Sequence, residues 1–267
     1  MVKGVSIRFK SYEETVPKLL DIINLKKELK KYDKIVLKPS LIYSDYPQLK
    51  ESVGTSASFV EPILKFCLTH KNPVAEVFIA EGADGSETMD LFDAHGYKEL
   101  AEKYSIGLID LNIAETEEIS LPSFLRFDKI KYPKILRNSF IISLPRLSED
   151  SETEIAGSLS NMLGAFPAEH YKGFFSKTKN KIRKWPLKYS IHDIIKCKAP
   201  EFAIMDASEQ SFILAGQPLE IDKQSAKLLG LEWYSISHLK LIDESLRQEE
   251  ERKEKQAALQ SSPRNVY

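Results

Sequence analysis

"VAEVFIAEGADGSETMDLFDAHGYKELAEKYSIGLIDLN", Val74–Asn112, decides the fold. It opens on an apolar run of strand length and passes through a short loop with Gly82 and Gly85. It then runs through a helix-like stretch broken near Gly96 and returns as "GLIDLN", a second strand. Two strands joined by a helix of this length form a parallel crossover unit, which buries both faces of its sheet. The same rhythm precedes it. "GVSIRFK" reads as a strand, and "YEETVPKLLDIINLKKELKKY" as an amphipathic helix with Leu19, Ile22, Ile23 and Leu29 on one face. "KIVLKPSL" is a strand stopped by Pro39, and "SASFVEPILKFCLTH" is a helix capped by Thr55 or Ser56 and disturbed by Pro62. The expected architecture is α/β: a largely parallel or mixed open sheet with helices on both faces.

Downstream the pattern changes. "EEISLPSFLRFDKIKYPKILRNSFIISLPRL" is rich in strand and turn residues and is read as a strand-rich middle insertion, followed by a helix near 152–165. After the basic run "KTKNKIRKWPLK" come a helix "SIHDIIKC", strands "EFAIMDA" and "SFILAG", and a helix beginning near Glu220. A single domain is expected over residues 1–246. From Arg247 to the end the chain is almost wholly charged, with no apolar heptad positions after Leu246, and is read as a solvated helix fraying into a disordered tail. A protein partner could engage that tail.

Composition narrows function. With 267 residues, 42% of them hydrophobic, the chain can bury a core without staples. Lys+Arg 38 against Asp+Glu 39 leaves a net charge of -1, so no global field draws it to nucleic acid or an anionic membrane, and any basic site must be local. The Lys177–Lys188 stretch around Trp185 is the one local candidate, read as an RNA grip, a solvated loop or a flap over a strand-end pocket; the near-zero net charge argues against nucleic acid. Cys67 and Cys197 lack C-x-x-C spacing, which excludes a cysteine-held iron–sulfur cluster within the chain and fits reduced, cytoplasmic thiols. The histidines, His70, His95, His170, His192 and His238, form no H-x-x-x-H or H-x-H pair, so no local metal motif is present. No window reaches the roughly 18 apolar residues of a membrane span, and the opening "MVKGVSIRFKSYEE" does not read as a signal peptide.

Parallel sheets bind ligands beyond the carboxyl ends of their strands. That rule selects Lys38 and Ser40 after "KIVLK", Thr55 and Ser56 before the next helix, Glu81 and Gly82 after "VFIAE", and Arg146 after "FIISLP". Lys38 and Arg146 would hold a carboxylate or phosphate, and Glu81 is the candidate base. "AEGADGSE" matches neither G-x-G-x-x-G nor a P-loop, and its Asp84 and Glu87 would repel phosphate. His192 beside Asp193 is a further acid–base candidate.

Taken in order, these segments resemble the domain of unknown function 362 family, a broad prokaryotic group sometimes fused to ferredoxin-like modules. "IVLKPSL", "GTSASFVEPILKF", the Ala80–Asn112 block, "IISLPRLSEDSETEIAGSLSNMLGAFP", "SIHDII", "FAIMDA" and "FILAGQPLEIDKQSAKLLGL" carry the resemblance over roughly residues 4–232. It implies an α/β fold and carries site positions onto Lys38, Thr55, Glu81, Thr88, Asn161, Asp193, Asp206 and Asp222. It names no agreed activity and no cofactor. The chain departs from the family pattern at Ser40 in place of asparagine, at Ser160 in place of the lysine before Asn161, and at Arg146–Asp150, where a lysine and a histidine usually follow the proline. It also lacks the glycine-rich segment between the Asp206 strand and "ILAG". The functional expectation is a small anionic metabolite at the sheet's carboxyl edge, held by Lys38 and Arg146, positioned by Thr55 and Asn161, with Glu81 available for proton transfer. The alternative is a divergent, non-catalytic paralogue serving as a binding or scaffold protein.

Overall fold

A computed structural model describes residues 3–41 and 54–261. In chain order the elements are β1 (Gly4–Arg8), α1 (Tyr12–Ile22), α2 (Leu25–Leu29), β2 (Lys34–Pro39), α3 (Ala57–His70), β3 (Glu76–Glu81), α4 (Thr88–Ala94), α5 (Tyr97–Tyr104) and β4 (Gly107–Asp110). There follow β5 (Thr116–Ile119), β6 (Ile130–Pro133), α6 (Lys134–Arg137), β7 (Phe140–Leu144), β8 (Ser148–Asp150), β9 (Glu154–Ala156), α7 (Ala168–Tyr171), α8 (Leu187–Cys197), β10 (Phe202–Ala207), β11 (Phe212–Gly216), α9 (Pro218–Leu228) and α10 (Ser237–Ser261).

Seven strands form one sheet in the order β1-β11-β10-β7-β2-β3-β4. β10, β7, β2, β3 and β4 pair in parallel, and β11 runs against both β10 and β1. The sheet is therefore mixed, with β11 alone reversed. The chain travels from β2 outward through β3 to β4, then returns to the other side of β2 as β7, so the order reverses between β2 and β7.

Alternation along the central strands fills both faces. Ile35 and Leu37 of β2, Val77 and Ile79 of β3, and Phe140 and Ile142 of β7 pack with α1, α2, α3 and α5. Val36, Ala80 and Ile141 face the second layer, built by Ile191 and Ile194 of α8, Leu239 and Ile242 of α10, and Tyr132 of β6.

Local chemistry explains several boundaries. The long helix expected over Tyr12–Tyr32 is split, because Asn24 adopts φ 56° between α1 and α2. Ile22 lies off the buried face of α1, which carries Val16, Leu19 and Leu20, and is 52% exposed, while Ile23, Leu25 and Leu29 are buried. Gly96, at φ 76°, separates α4 from α5 in a conformation that glycine adopts without steric cost. Ser56, not Thr55, caps α3, its Oγ accepting from the Phe59 N–H at 3.3 Å. The expected helix near 152–165 does not form. Its first part is the β8–β9 hairpin, in which Glu154 takes φ 71°, and its second is a 3₁₀ turn over Ser160–Ala165. In the middle segment β5 and β6 make an antiparallel pair. The boundary drawn at residue 246 falls inside α10, which stays helical to Ser261; residues 262–267 of the expected tail lie outside the described residues.

Candidate functional site at the carboxyl edge of the sheet

At the reversal between β2 and β7, where an open α/β sheet usually leaves a crevice, the two strand ends are tied together. Thr55 Oγ1 donates to Leu144 O (2.5 Å) and accepts from the Ser40 N–H (2.9 Å), while the Thr55 N–H donates to Ser40 O. Asn161, on the 3₁₀ turn, donates from Nδ2 to Lys38 O and to Ser143 Oγ, both at 3.0 Å. Two cavities of about 140 and 150 Å³ remain here, with Ser40, Ser160, Asn161, Leu163 and Arg183 common to both.

Below them lies a buried polar cluster, whose Glu81 also lines the 140 Å³ cavity. Lys38 Nζ is fully buried and donates to Glu81 Oε2 (2.5 Å), Asn161 O (2.7 Å) and Asn161 Oδ1 (3.2 Å), which engages all three of its protons. Glu81 Oε1 accepts from the Gly82 N–H at 2.8 Å. A Cβ on Gly164 would stand 1.9 Å from Glu81 Oε1 and 2.8 Å from Lys38 Nζ, so the 3₁₀ turn seals the pair by backbone contact that only glycine permits. Burial drives the Lys38 pKa down, and the neighbouring Glu81 carboxylate works against that.

Lys179 is the residue that sequence reasoning undervalued. Only 2% exposed, it donates from Nζ to Gly82 O (2.6 Å) and Gly164 O (3.3 Å), and its N–H donates to Asp84 Oδ1. Burial lowers its pKa to about 8, against the opposing pull of Glu81 and Asp84. Arg183 bridges Asp84 (2.6 Å) and Glu152 (2.7 Å). The basic stretch therefore lies as a strap across the carboxyl edge, with Lys177, Lys181, Lys184 and Trp185 left exposed.

The spacious opening lies further along, beyond β3 and β4: a cleft of about 1020 Å³. The loop after β3 forms one wall and is held by Thr88, whose Oγ1 accepts from the Ala83 N–H (3.2 Å) and the Asn112 amide (3.1 Å). Asn112 also donates to Ala83 O (2.8 Å) and accepts from the Ala168 N–H (3.0 Å), joining that loop to α7. Lys172, Lys177 and Lys181 line the cleft together with Glu87, Asp90, Asp110 and Glu169, and Phe174 in the same lining is 96% exposed.

The other expected residues lie elsewhere. Asp206 accepts from Tyr12 OH (2.7 Å) and the Ser208 N–H (3.1 Å), and shares strand parity with Ile204, so it hangs from the α1 face of the sheet. Arg146 bridges to Asp206 through the backbone and pairs with Glu209. Lys38, Glu81 and Asn161 thus converge without Arg146. Asp222 on α9 accepts from the Ser158 N–H (2.7 Å), Ser158 Oγ (2.6 Å) and the Leu159 N–H (2.9 Å), anchoring the start of the 3₁₀ turn. Asp193 on α8 accepts from the N–H groups of Leu125, Arg126 and Phe127. Burial pushes its pKa up, but His192 and those N–H donors outweigh burial and hold it below the usual aspartate value. Among the described residues no group of three or more His, Cys, Asp or Glu is placed to hold a metal ion, and no helix is long and apolar enough to cross a membrane.

Sheet order and edge chemistry define the class: an open, mixed α/β protein with a buried ion-pair cluster at its strand reversal and a ligand-sized cleft beside it. A family model described as "Domain of unknown function (DUF362)" matches residues 35–215, from β2 into β11, and the chain belongs to that family. No curated protein matches the sequence.

Proposed function

We propose that this protein binds a small anionic metabolite in the cleft beyond β3 and β4, and that binding, without Glu81 chemistry, is its role at this edge. The cleft carries the reading: about 1020 Å³ at the carboxyl ends of parallel strands, with Lys172, Lys177 and Lys181 in its lining. Glu87, Asp90, Asp110 and Glu169 in the same lining suit a ligand that also bears an ammonium or hydroxyl group. Glu81 lines the 140 Å³ cavity, but the ion pair with Lys38 and the Gly82 N–H engage both its oxygens, which argues against a proton-transfer role. Cys67 and Cys197 are both buried free thiols, which suits a reducing compartment such as the cytoplasm.

The test is a thermal-shift screen of small carboxylates, phosphates and amino acids against the wild type and Lys172→Glu/Lys177→Glu. A hit whose stabilisation disappears in the double variant supports the reading. No hit, or a hit the variant does not alter, overturns it.

A scaffold role through α10 is the second reading, favoured by one observation: every side chain from Glu250 to Ala257 is exposed. Pull-downs with and without residues 250–267 test it, and the same partners in both sink it.

A further inference from the structure

The His192–Asp193 pair takes no part in the carboxyl-edge cleft. Asp193 is held by three backbone N–H donors, so its carboxylate cannot swing, and its Oδ1 lies 2.8 Å from His192 Nδ1. A carboxylate only accepts, which places the imidazole proton on Nδ1 and leaves Nε2 as an acceptor. Nε2 lies 3.1 Å from Ser245 Oγ on α10, so the serine hydroxyl donates to it. The resulting order, carboxylate to imidazole to hydroxyl, is the arrangement that activates a serine nucleophile.

His192 and Ser245 both line a separate cleft of about 260 Å³, with Pro122, Leu125 and Leu241 as its apolar walls. Gln248 and Arg252 line it too. They stand three and seven residues beyond Ser245 on the same face of α10; Glu244 and Glu249 share the lining, and Glu249 is paired with Lys196 at 2.6 Å.

We propose that Ser245, activated by His192 and oriented through Asp193, is the nucleophile of a second site that hydrolyses short-chain acyl esters. Ser245 Oγ bonds to the acyl carbon as its proton passes to His192 Nε2. Negative charge gathers on the carbonyl oxygen, for which Gln248 and Arg252 are the donors in the cleft lining. The ester C–O bond then breaks, and His192 returns the proton to the departing alcohol. Water attacks the acyl-serine through His192, releasing the acid and restoring the hydroxyl; the net reaction is ester plus water to acid plus alcohol. The cleft volume limits the acyl group to a short one.

The test uses the whole chain with 4-nitrophenyl acetate as substrate and a fluorophosphonate probe whose attachment is located by peptide mapping. Probe on Ser245 and turnover above buffer are expected, both lost in Ser245→Ala and both reduced at least ~100-fold in His192→Gln. Ser245→Cys guards against misfolding of the histidine variant: its thiol should react with iodoacetamide near pH 6 at least ~10-fold faster than a free cysteine, because His192 raises the thiolate fraction. Probe on another serine, turnover that survives Ser245→Ala, absence of both turnover and labelling, or a thiol in the Ser245→Cys variant that reacts no faster than free cysteine each overturns the proposal.

Discussion

At the residue scale the Lys38–Glu81 pair governs the edge. Removing one member of a buried ion pair leaves the other uncompensated, at a cost of about 3–5 kcal/mol, whereas replacing both with apolar groups is nearly neutral. Lys38→Met and Glu81→Leu should each destabilise by that amount, and the double variant should recover most of it; urea unfolding of the four proteins measures the coupling. Gly164→Ala drives a methyl against Glu81 Oε1 and should cost roughly 3 kcal/mol in the same assay. Lys179 sets a pH dependence. Its pKa is about 8 in the folded protein against roughly 10.4 unfolded, so the unfolded chain binds the extra proton between those values. The penalty is complete below about pH 8 and disappears as pH rises toward about 10.4, so stability contributed by this group should rise by about 3 kcal/mol across that window. Lys179→Met should flatten the rise, and a rise of the same size in the variant would refute the assignment.

At the element scale, α3 separates two neighbouring polar residues that read alike in sequence. Ser56 provides one capping hydrogen bond, so Ser56→Ala should cost about 1 kcal/mol. Thr55 ties β2 to β7, and Thr55→Val leaves the Ser40 N–H and Leu144 O without its hydroxyl inside the sheet edge, so it should cost more, about 2–3 kcal/mol. Thermal unfolding of the two variants ranks them, and equal losses would sink the distinction. Thr55 was visible as a polar residue before a helix; its strand-bridging role depends on β7, far away in sequence. The 152–165 stretch misled for a related reason. Its apolar spacing fits a helix, but Glu154 turns the chain in a hairpin and Asp222, from α9, captures the N–H groups of Ser158 and Leu159.

At the scale of the whole molecule, α10 divides into a packed and a solvated part. Leu239 and Ile242 are buried in the second layer, and Lys196 reaches Glu249 at 2.6 Å. Past Glu249 the helix buries nothing through Ala257, so ending the chain there should shift the melting temperature by no more than about 2 °C. A larger drop would show that the distal helix packs in solution.

Periodicity and strand-end position by themselves determined the α/β class, the crossover from β3 to β4, and the placing of Lys38 and Glu81 at one edge, because these depend on local pattern and on one rule of parallel sheets; Asn161 was added by the family resemblance. Three things were decided only by tertiary structure: that Lys38 and Glu81 satisfy each other under Gly164, that Lys179 is buried while its neighbours Lys177 and Lys181 are exposed, and that the open cleft lies beside the strand reversal. Each is a matter of what covers a charged group, and burial of a charge is set by segments that meet only in the folded chain.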